Sequence, residues 1–406
     1  MSQKTLNNNE LFDGILTGYR VIDFTTNISG PSATAILADL GADVIKIEKL
    51  QKGDDSRSME PAFVDKSAYF VAINRGKKSM AINLKSSEGA NIVKKLLLNS
   101  QIVVENSRRG TMEKLGFDYE SVKRIKKDII YASLSSYGDN GPYCDRPGYD
   151  AIVQAETGIM SVNGSKNELP ARVGISVLDA GSGMWLAMGI ILATLKKERT
   201  GEGSYISTSL YETGIYWMNY YNTAYQITEK IPEKIGSEHP SFAPYGAFET
   251  KNGYIMIGIS NDNLFSRLTN SIGHPELATD PFFLSNNMRV KNRKTLNNIM
   301  QEIIKQNTKE HWYNVLVKNK IPCAVIKNVE EVIYNEHTEY INPFQTLNEN
   351  FSKKLKIQPV PLRFNGDYIK IKKSSPALGE DTYDLLGSIG YLEEEIDKLR
   401  KSGVIL

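Results

Sequence analysis

Residues 19–48 read YRVIDFTTNISGPSATAILADLGADVIKIE. Tyr19 to Phe24 is a short apolar run that predicts a buried strand. Pro31 predicts the start of a helix, where its missing N–H costs nothing. Ala33 to Leu40 continue that helix, and Gly41 stands in the usual terminating position. Asp43 to Glu48 predicts the next strand. A compact β-α-β unit implies parallel strands joined by a right-handed crossover.

The alternation continues outward from this unit. Strands are predicted over Lys78 to Asn83, Ile102 to Glu105 and Ile129 to Leu134. Helices are predicted from about Ser87 to Leu98 and from Tyr119 to Lys126. Strands alternating with helices of this length predict a doubly wound α/β domain. A polar, Gly-rich stretch from Ser135 to Gly148 precedes a helix near Tyr149, and a long apolar helix is expected over Ala180 to Lys196. Ser204 to Thr208 reads as a further strand. The aromatic-rich segment Tyr211 to Tyr225 reads as a core helix or as a helix buried against another subunit. A different texture begins near Pro244. Two apolar strands, Tyr245 to Glu249 and Tyr254 to Ile259, flank Asn252-Gly253, a strong hairpin signal. Helices near Leu264 to Asn270, Lys294 to Lys305 and Lys309 to Lys318, the last capped by Thr308, and a strand over Pro322 to Ile326 complete an α+β second domain. Asn342 to Lys373 reads as extended and basic. The tail carries helical patterns over Asp381 to Leu386 and Leu392 to Leu399.

Composition bounds the function. The chain has 406 residues, too many for one ordinary core, so two domains are expected. Its 49 basic and 47 acidic side chains nearly cancel, which supplies no global charge to attract nucleic acid or a membrane surface. Two isolated cysteines, Cys144 and Cys323, form no metal or redox spacing and fit a reducing, cytoplasmic compartment. The scattered His239, His274, His311 and His337 predict no structural zinc. Met1 to Phe12 lacks the apolar core of a signal peptide. The longest apolar run, Met184 to Leu195, is too short to span a bilayer.

The loop Thr25-Thr26-Asn27-Ile28-Ser29-Gly30-Pro31 is not G-x-G-x-x-G, which argues against nicotinamide dinucleotide binding in the usual mode. The chain also lacks a phosphate-cradling G-x-x-x-x-G-K-[ST] and a G-x-S-x-G elbow. What remains is Val177-Leu178-Asp179-Ala180-Gly181-Ser182-Gly183. An Asp just before a long apolar helix reads as an ordinary N-cap. It also reads as a reactive carboxylate, kept ionised by the helix N-terminus, with Ala180, Gly181 and Gly183 leaving room for a ligand. A second candidate set is basic: Lys49, Arg75, Lys77, Lys78, Lys85, Arg108, Arg109 and Lys114. Several fall at or just past the carboxyl ends of predicted strands, where open α/β sheets bind ligands.

The ordered set of short matches makes the chain resemble the family III CoA-transferases, which include formyl-CoA:oxalate and carnitine CoA-transferases and the α-methylacyl-CoA racemases. The matches run from about Leu16 to Ile405. They include Val21-Ile22-Asp23-Phe24, Ser29-Gly30-Pro31, Leu40 to Glu48, Asn74-Arg75-Gly76-Lys77-Lys78-Ser79, Asn83-Leu84-Lys85, Val104-Glu105-Asn106, Gly141-Pro142 and Arg146 to Asp150. Gln154-Ala155, the Asp179 segment, Lys197 to Gly201, Tyr245 to Phe248 and Leu378-Gly379-Glu380 complete them.

The resemblance implies a catalytic aspartate at Asp179. It implies coenzyme A contacts at Lys49, Ile82, Lys85, Asn106 and Lys114. Where the family often has Asn-Phe-Arg-Pro-Gly, this chain has Asn106-Ser107-Arg108-Arg109-Gly110, so Arg109 is the candidate replacement for a missing ring contact. Tyr149 and Asp150 are further candidate coenzyme A contacts. The implied substrates are an acyl-CoA and a carboxylic acid, with no metal and no permanently bound cofactor. The implied architecture is an interlocked homodimer with a Rossmann-like large domain, residues 1–205 and 376–406. A linker over 206–236, a small domain over 237–335 and a return linker over 336–375 follow from it. Ile28 stands where the oxalate enzymes carry Gln, and Ser237 to Tyr245 lacks their glycine-rich loop; both departures argue against oxalate. The racemase branch carries a His immediately before the Asp corresponding to Asp150, where this chain has Tyr149. A non-catalytic CoA-binding protein is the remaining alternative.

Overall fold

The computed structural model describes residues 14–63, 66–347 and 355–406. The polar stretch Met1 to Phe12 lies outside these residues, as does part of the extended Asn342 to Lys373 segment. The chain divides into two compact units: Met1–Thr157 with Gly174–Asn222 and Asn342–Leu406, and Gly158–Val173 with Thr223–Ile341.

The larger unit is built on six parallel strands: β1 (Arg20–Asp23), β2 (Asp43–Glu48), β3 (Lys78–Ala81), β4 (Ile102–Glu105), β5 (Ile130–Ser135) and β6 (Ser204–Ser209). Their spatial order is β3-β2-β1-β4-β5-β6, the order of a doubly wound dinucleotide-binding sheet. The helices are α1 (Ser29–Asp39), α2 (Ser87–Leu98), α3 (Tyr119–Ile125), α4 (Asp150–Glu156), α5 (Val177–Thr200) and α6 (Leu210–Trp217).

The inner strands β1, β2, β4 and β5 are buried along nearly their whole length because both faces are covered, whereas the edge strand β6, SYISTS, is exposed at alternate residues. Alternation still divides them. Ile22, Phe24, Ile45, Ile47, Met80, Val103 and Tyr131 enter one core with Ile92, Leu96 and Leu97 of α2 and Val122 of α3. The opposite face carries an unexpected buried charge set: Asp23, Lys46, Glu48 and Lys77.

The second unit contains β7 (Tyr245–Thr250), β8 (Gly253–Gly258) and β9 (Cys323–Val325) in the antiparallel order β9-β8-β7. The hairpin turn is Lys251-Asn252, since Gly253 pairs with Thr250. The Asn-Gly pair is therefore displaced by one residue from the turn it predicts. Asn252 explains the shift: its Oδ1 accepts the Lys309 N–H at 2.9 Å and its Nδ2 donates to Glu310, tying the turn to the next helix. Helices α7 (Asp262–Ser271), α8 (Arg293–Ile304) and α9 (Lys309–Lys318) pack Phe265, Leu268, Leu296, Met300, Trp312 and Leu316 against Ile255 and Ile257. Thr308 caps α9 through the His311 N–H.

The tail returns to the larger unit. Helices α10 (Thr382–Ser388) and α11 (Glu393–Lys401) bring Leu385, Leu386 and Ile396 into its first core, and Ile405 bridges Ile82 beside β3.

Candidate active site

Asp179 is the third residue of α5, which begins at Val177, so it is not the N-cap. The N-cap residue, Ser176, makes no side-chain capping bond. The cap comes instead from another helix. Asp150, the first residue of α4 and buried, accepts the N–H groups of Leu178 at 2.7 Å and Asp179 at 3.1 Å through Oδ2. Its Oδ1 accepts the Gln154 Nε2 at 2.5 Å, one turn along the same helix.

This capping reverses the electrostatic expectation for Asp179. The helix N-terminus is already answered by a carboxylate, so it offers less stabilisation to a second one. Burial pushes the Asp179 carboxyl up to about 7, and the neighbouring Asp150 charge pushes the same way. A hydrogen bond with the Ser29 side chain opposes them.

The small residues after Asp179 serve packing. A Cβ on Gly181 would run into the Trp217 ring of α6, and one on Gly183 would lie 2.7 Å from the Ser29 carbonyl oxygen at the start of α1. The space expected beside the carboxylate at Gly181 and Gly183 is therefore filled by protein, and only Ala180 of that trio is exposed.

The loop from β1 to α1 leaves the sheet at the switch point, where the strand order reverses and where such sheets bind ligands. Of the residues expected to contact coenzyme A, Lys49, Ile82 and Asn106 follow the carboxyl ends of β2, β3 and β4, and Lys85 lies three residues past Ile82. Lys49, Lys85 and Lys114 are exposed and fit anion contacts. Ile82 differs from these lysines. Its side chain is buried in the core, and its N–H donates to the Glu48 carbonyl, which leaves no side-chain surface for a ligand.

Asn106 is also committed: its Oδ1 accepts the Thr26 N–H at 2.8 Å and its Nδ2 donates to the Thr26 carbonyl at 2.9 Å. Arg109 donates to Cys144 Sγ at 2.9 Å and lies 3.6 Å from Asp145. Tyr149 is exposed at the N-cap position of α4.

The basic set separates sharply. Arg75 is buried in a two-point pair with Asp39, and Lys78 lies 2.7 Å from Asp43. Lys77 is wholly buried 3.1 Å from Asp23. Burial lowers the Lys77 amine to about 8, against the pull of Asp23. Arg75 and Lys77 are internal counter-ions, since a buried cation is tolerated only when paired, whereas the Lys78–Asp43 pair remains partly exposed. Sequence reasoning did not single out Ser29 or the capping role of Asp150. The Asp150–Gln154 helical spacing was the only local sign of the latter.

A doubly wound sheet with a half-buried carboxyl of raised proton affinity near its switch point fits an α/β enzyme of carboxyl or acyl chemistry. The chain belongs to CoA-transferase family III, whose model matches residues 16–382. It is 34% identical over 392 residues to the succinyl-CoA:glutarate CoA-transferase of Mus musculus, covering 96% of this chain and 90% of that one. It is 38% identical over 321 residues to the acetyl-CoA:oxalate CoA-transferase of Acetobacter aceti, covering 79% and 82%. The crystal structure of a CaiB/BaiF family protein from Brucella suis superposes with a TM-score of 0.85 at 31% identity, covering 93% of this chain and 99% of that one.

Proposed function

We propose that this CoA-transferase works through covalent catalysis at Asp179 and serves a short dicarboxylic acid. The observation that carries this reading is the Asp179 carboxylate, half-buried beside Asp150 and held near pKa 7. A carboxylate that is costly to keep ionised is a stronger nucleophile than an exposed one. Its attack on the donor thioester carbon breaks the C–S bond, and coenzyme A leaves as thiolate. The product is a neutral acyl-aspartyl anhydride, so the negative charge departs from a site that disfavours it.

The thiolate then attacks the Asp179 carbonyl and expels the donor acid, leaving an aspartyl-CoA thioester. The acceptor carboxylate attacks that thioester, breaks its C–S bond with release of the coenzyme A thiolate, and forms a second anhydride. Thiolate attack on the acceptor's acyl carbon releases the new acyl-CoA and restores the Asp179 carboxylate. Asp150 takes no bond-making part; it holds the backbone of Asp179 and supplies the repulsion that the anhydride relieves.

Glutarate and oxalate, named for two relatives, are both dicarboxylic acids. We favour the longer class, because Ile28 supplies an apolar side chain, with no amide, in the loop before α1. Exposed Lys49, Lys85 and Lys114 are the proposed partners of the coenzyme A phosphates, and the cell's reducing cytoplasm is the proposed location. We further propose a homodimer. Met184, Met188, Leu192 and Leu195 form an exposed apolar stripe along α5, and Tyr216 and Tyr220 are exposed close by in sequence. A patch of this kind fits a subunit interface.

Incubation with succinyl-CoA and other short acyl-CoA donors, without acceptor, tests the mechanism. Hydroxylamine or borohydride should leave a mass change on the tryptic peptide Val173–Lys196 only when acyl-CoA is present. Asp179→Asn should lose both the adduct and transfer while retaining CoA binding. An unmodified peptide in an enzyme that turns over would refute the covalent route. Exchange of the α-proton of a branched acyl-CoA without any adduct would favour the racemase branch despite Tyr149.

A further inference from the structure

The loop Thr25-Thr26-Asn27 is held at every residue by side chains from separate parts of the sheet. Asp23 accepts the Thr25 N–H at 2.8 Å, and Lys46 Nζ donates to the Thr25 carbonyl at 2.7 Å. Asn106 takes both backbone groups of Thr26. Asp54 accepts the Asn27 N–H at 3.0 Å and pairs with Lys46 at 2.7 Å, both side chains fully buried. Asn27 itself adopts φ of 66°, a left-handed conformation that costs free energy in a non-glycine residue and persists only when its surroundings enforce it.

The chain then enters α1 at Ser29. There is no slack at that point. A Cβ on Gly30 would sit 3.0 Å from Asn106 Cγ, and the Ser29 carbonyl oxygen lies 2.7 Å from where a Gly183 Cβ would be, one turn beyond Asp179. The α1 start is thus wedged between Asn106 and α5.

We infer that Asn106 is a positioning residue for the transfer reaction. By fixing both backbone groups of Thr26, it sets the start of α1 so that Ser29 meets the Asp179 carboxylate. The role differs from the coenzyme A contact implied by resemblance, because it is exerted through the two bonds that the Asn106 side chain makes to the loop backbone. Lys46 and Asp54 complete the clamp, and their mutual burial makes it stiff: moving either would leave an uncompensated interior charge. The inference rests on the reading of Asp179 as nucleophile.

A double-mutant cycle on the full-length protein tests it, using Asn106→Ala, Ser29→Ala and the pair, with succinyl-CoA as donor and glutarate as acceptor. Asn106→Ala should lower kcat by about tenfold or more, while KM for succinyl-CoA and the Kd of free CoA stay within about twofold. The double variant should be little slower than Ser29→Ala, because Asn106 acts through Ser29. If Asn106→Ala does not fold, Asn106→Ser carries the same readings, since its short neutral side chain cannot hold both backbone groups of Thr26 and adds no charge. A rise of about tenfold in KM for succinyl-CoA with kcat retained would make Asn106 a coenzyme A contact and overturn the inference. Additive losses in the cycle would also overturn it. Both of those results leave the nucleophile reading standing. A wild-type protein that forms no adduct at Asp179 removes that reading, and this inference with it.

Discussion

Replacing Asp150 by Asn should move the acid limb of the transfer reaction toward lower pH. The exchange is close to isosteric. Asn keeps one oxygen for the Leu178 and Asp179 N–H groups, and its amide can donate to Gln154 once that side chain rotates its own amide. Only the charge is removed. Asp150 Oδ2 lies 3.1 Å from the Asp179 nitrogen, and covalent geometry then puts the two carboxylates on the order of 6 Å apart. Two such charges repel by ~3 kcal/mol at an effective dielectric of ~20, and solvent around a half-exposed group cuts this to ~1–2 kcal/mol, about one pKa unit.

Burial, the larger cause of the Asp179 shift, is untouched, so its carboxyl stays above the usual carboxylate range. The sign follows directly. Attack needs the ionised form, so kcat/KM for acyl-CoA in the wild type should fall as pH drops through about 7. In Asp150→Asn that fall should occur about one unit lower. The less basic carboxylate is also a weaker nucleophile, so the variant should be slower on the alkaline plateau and relatively faster near pH 6, and the two profiles should cross. The assay is kcat/KM for acyl-CoA from pH 5 to 9, with thermal melting as a check on folding. Asp150→Ala, which also deletes the cap, should cost ~1–2 kcal/mol of stability. A folded Asp150→Asn whose limb stays in place or moves toward alkali would refute the electrostatic role assigned to Asp150.

The packing of α5 makes a separate prediction. Gly183→Ala places a methyl against the Ser29 carbonyl and should destabilise the protein by ~1–3 kcal/mol, seen as a lower urea midpoint with an unchanged slope; a neutral result would mean that α1 and α5 are not in close contact. Lys85→Ala and Lys114→Ala should each weaken acyl-CoA use by ~1–3 kcal/mol without altering the ranking of acceptor acids, measured as KM for acyl-CoA. A changed acceptor ranking would place these lysines in another pocket. The proposed dimer should keep twice the monomer mass by light scattering on dilution into the nanomolar range, as an interlocked assembly cannot part without unfolding. A folded, concentration-dependent monomer would exclude interlocking.

The inner strands of the larger unit were legible because a sheet covered on both faces demands apolar runs, and β2, β4 and α2 begin and end where those runs do. The helix-stopping role of Gly41 was equally local: its φ is 95°, which glycine adopts without penalty. The family was legible because its short motifs keep a fixed order along the chain.

What the residues around Asp179 do was not legible, for a common physical reason. Gly181 and Gly183 announce small volume, but only the packed helices reveal that Trp217 and Ser29 occupy the space. Lys77 and Arg75 look like surface cations until the fold brings Asp23 and Asp39 beside them. The start of α5 one turn earlier than expected follows from the same cause, since its cap comes from Asp150, 29 residues before Asp179. Backbone preference and hydrophobic pattern are properties of neighbours in the chain, so the sequence alone determines them. Charge environment, free volume and the proton affinity of a carboxylate depend on groups brought close from distant positions, and those only the tertiary structure decides.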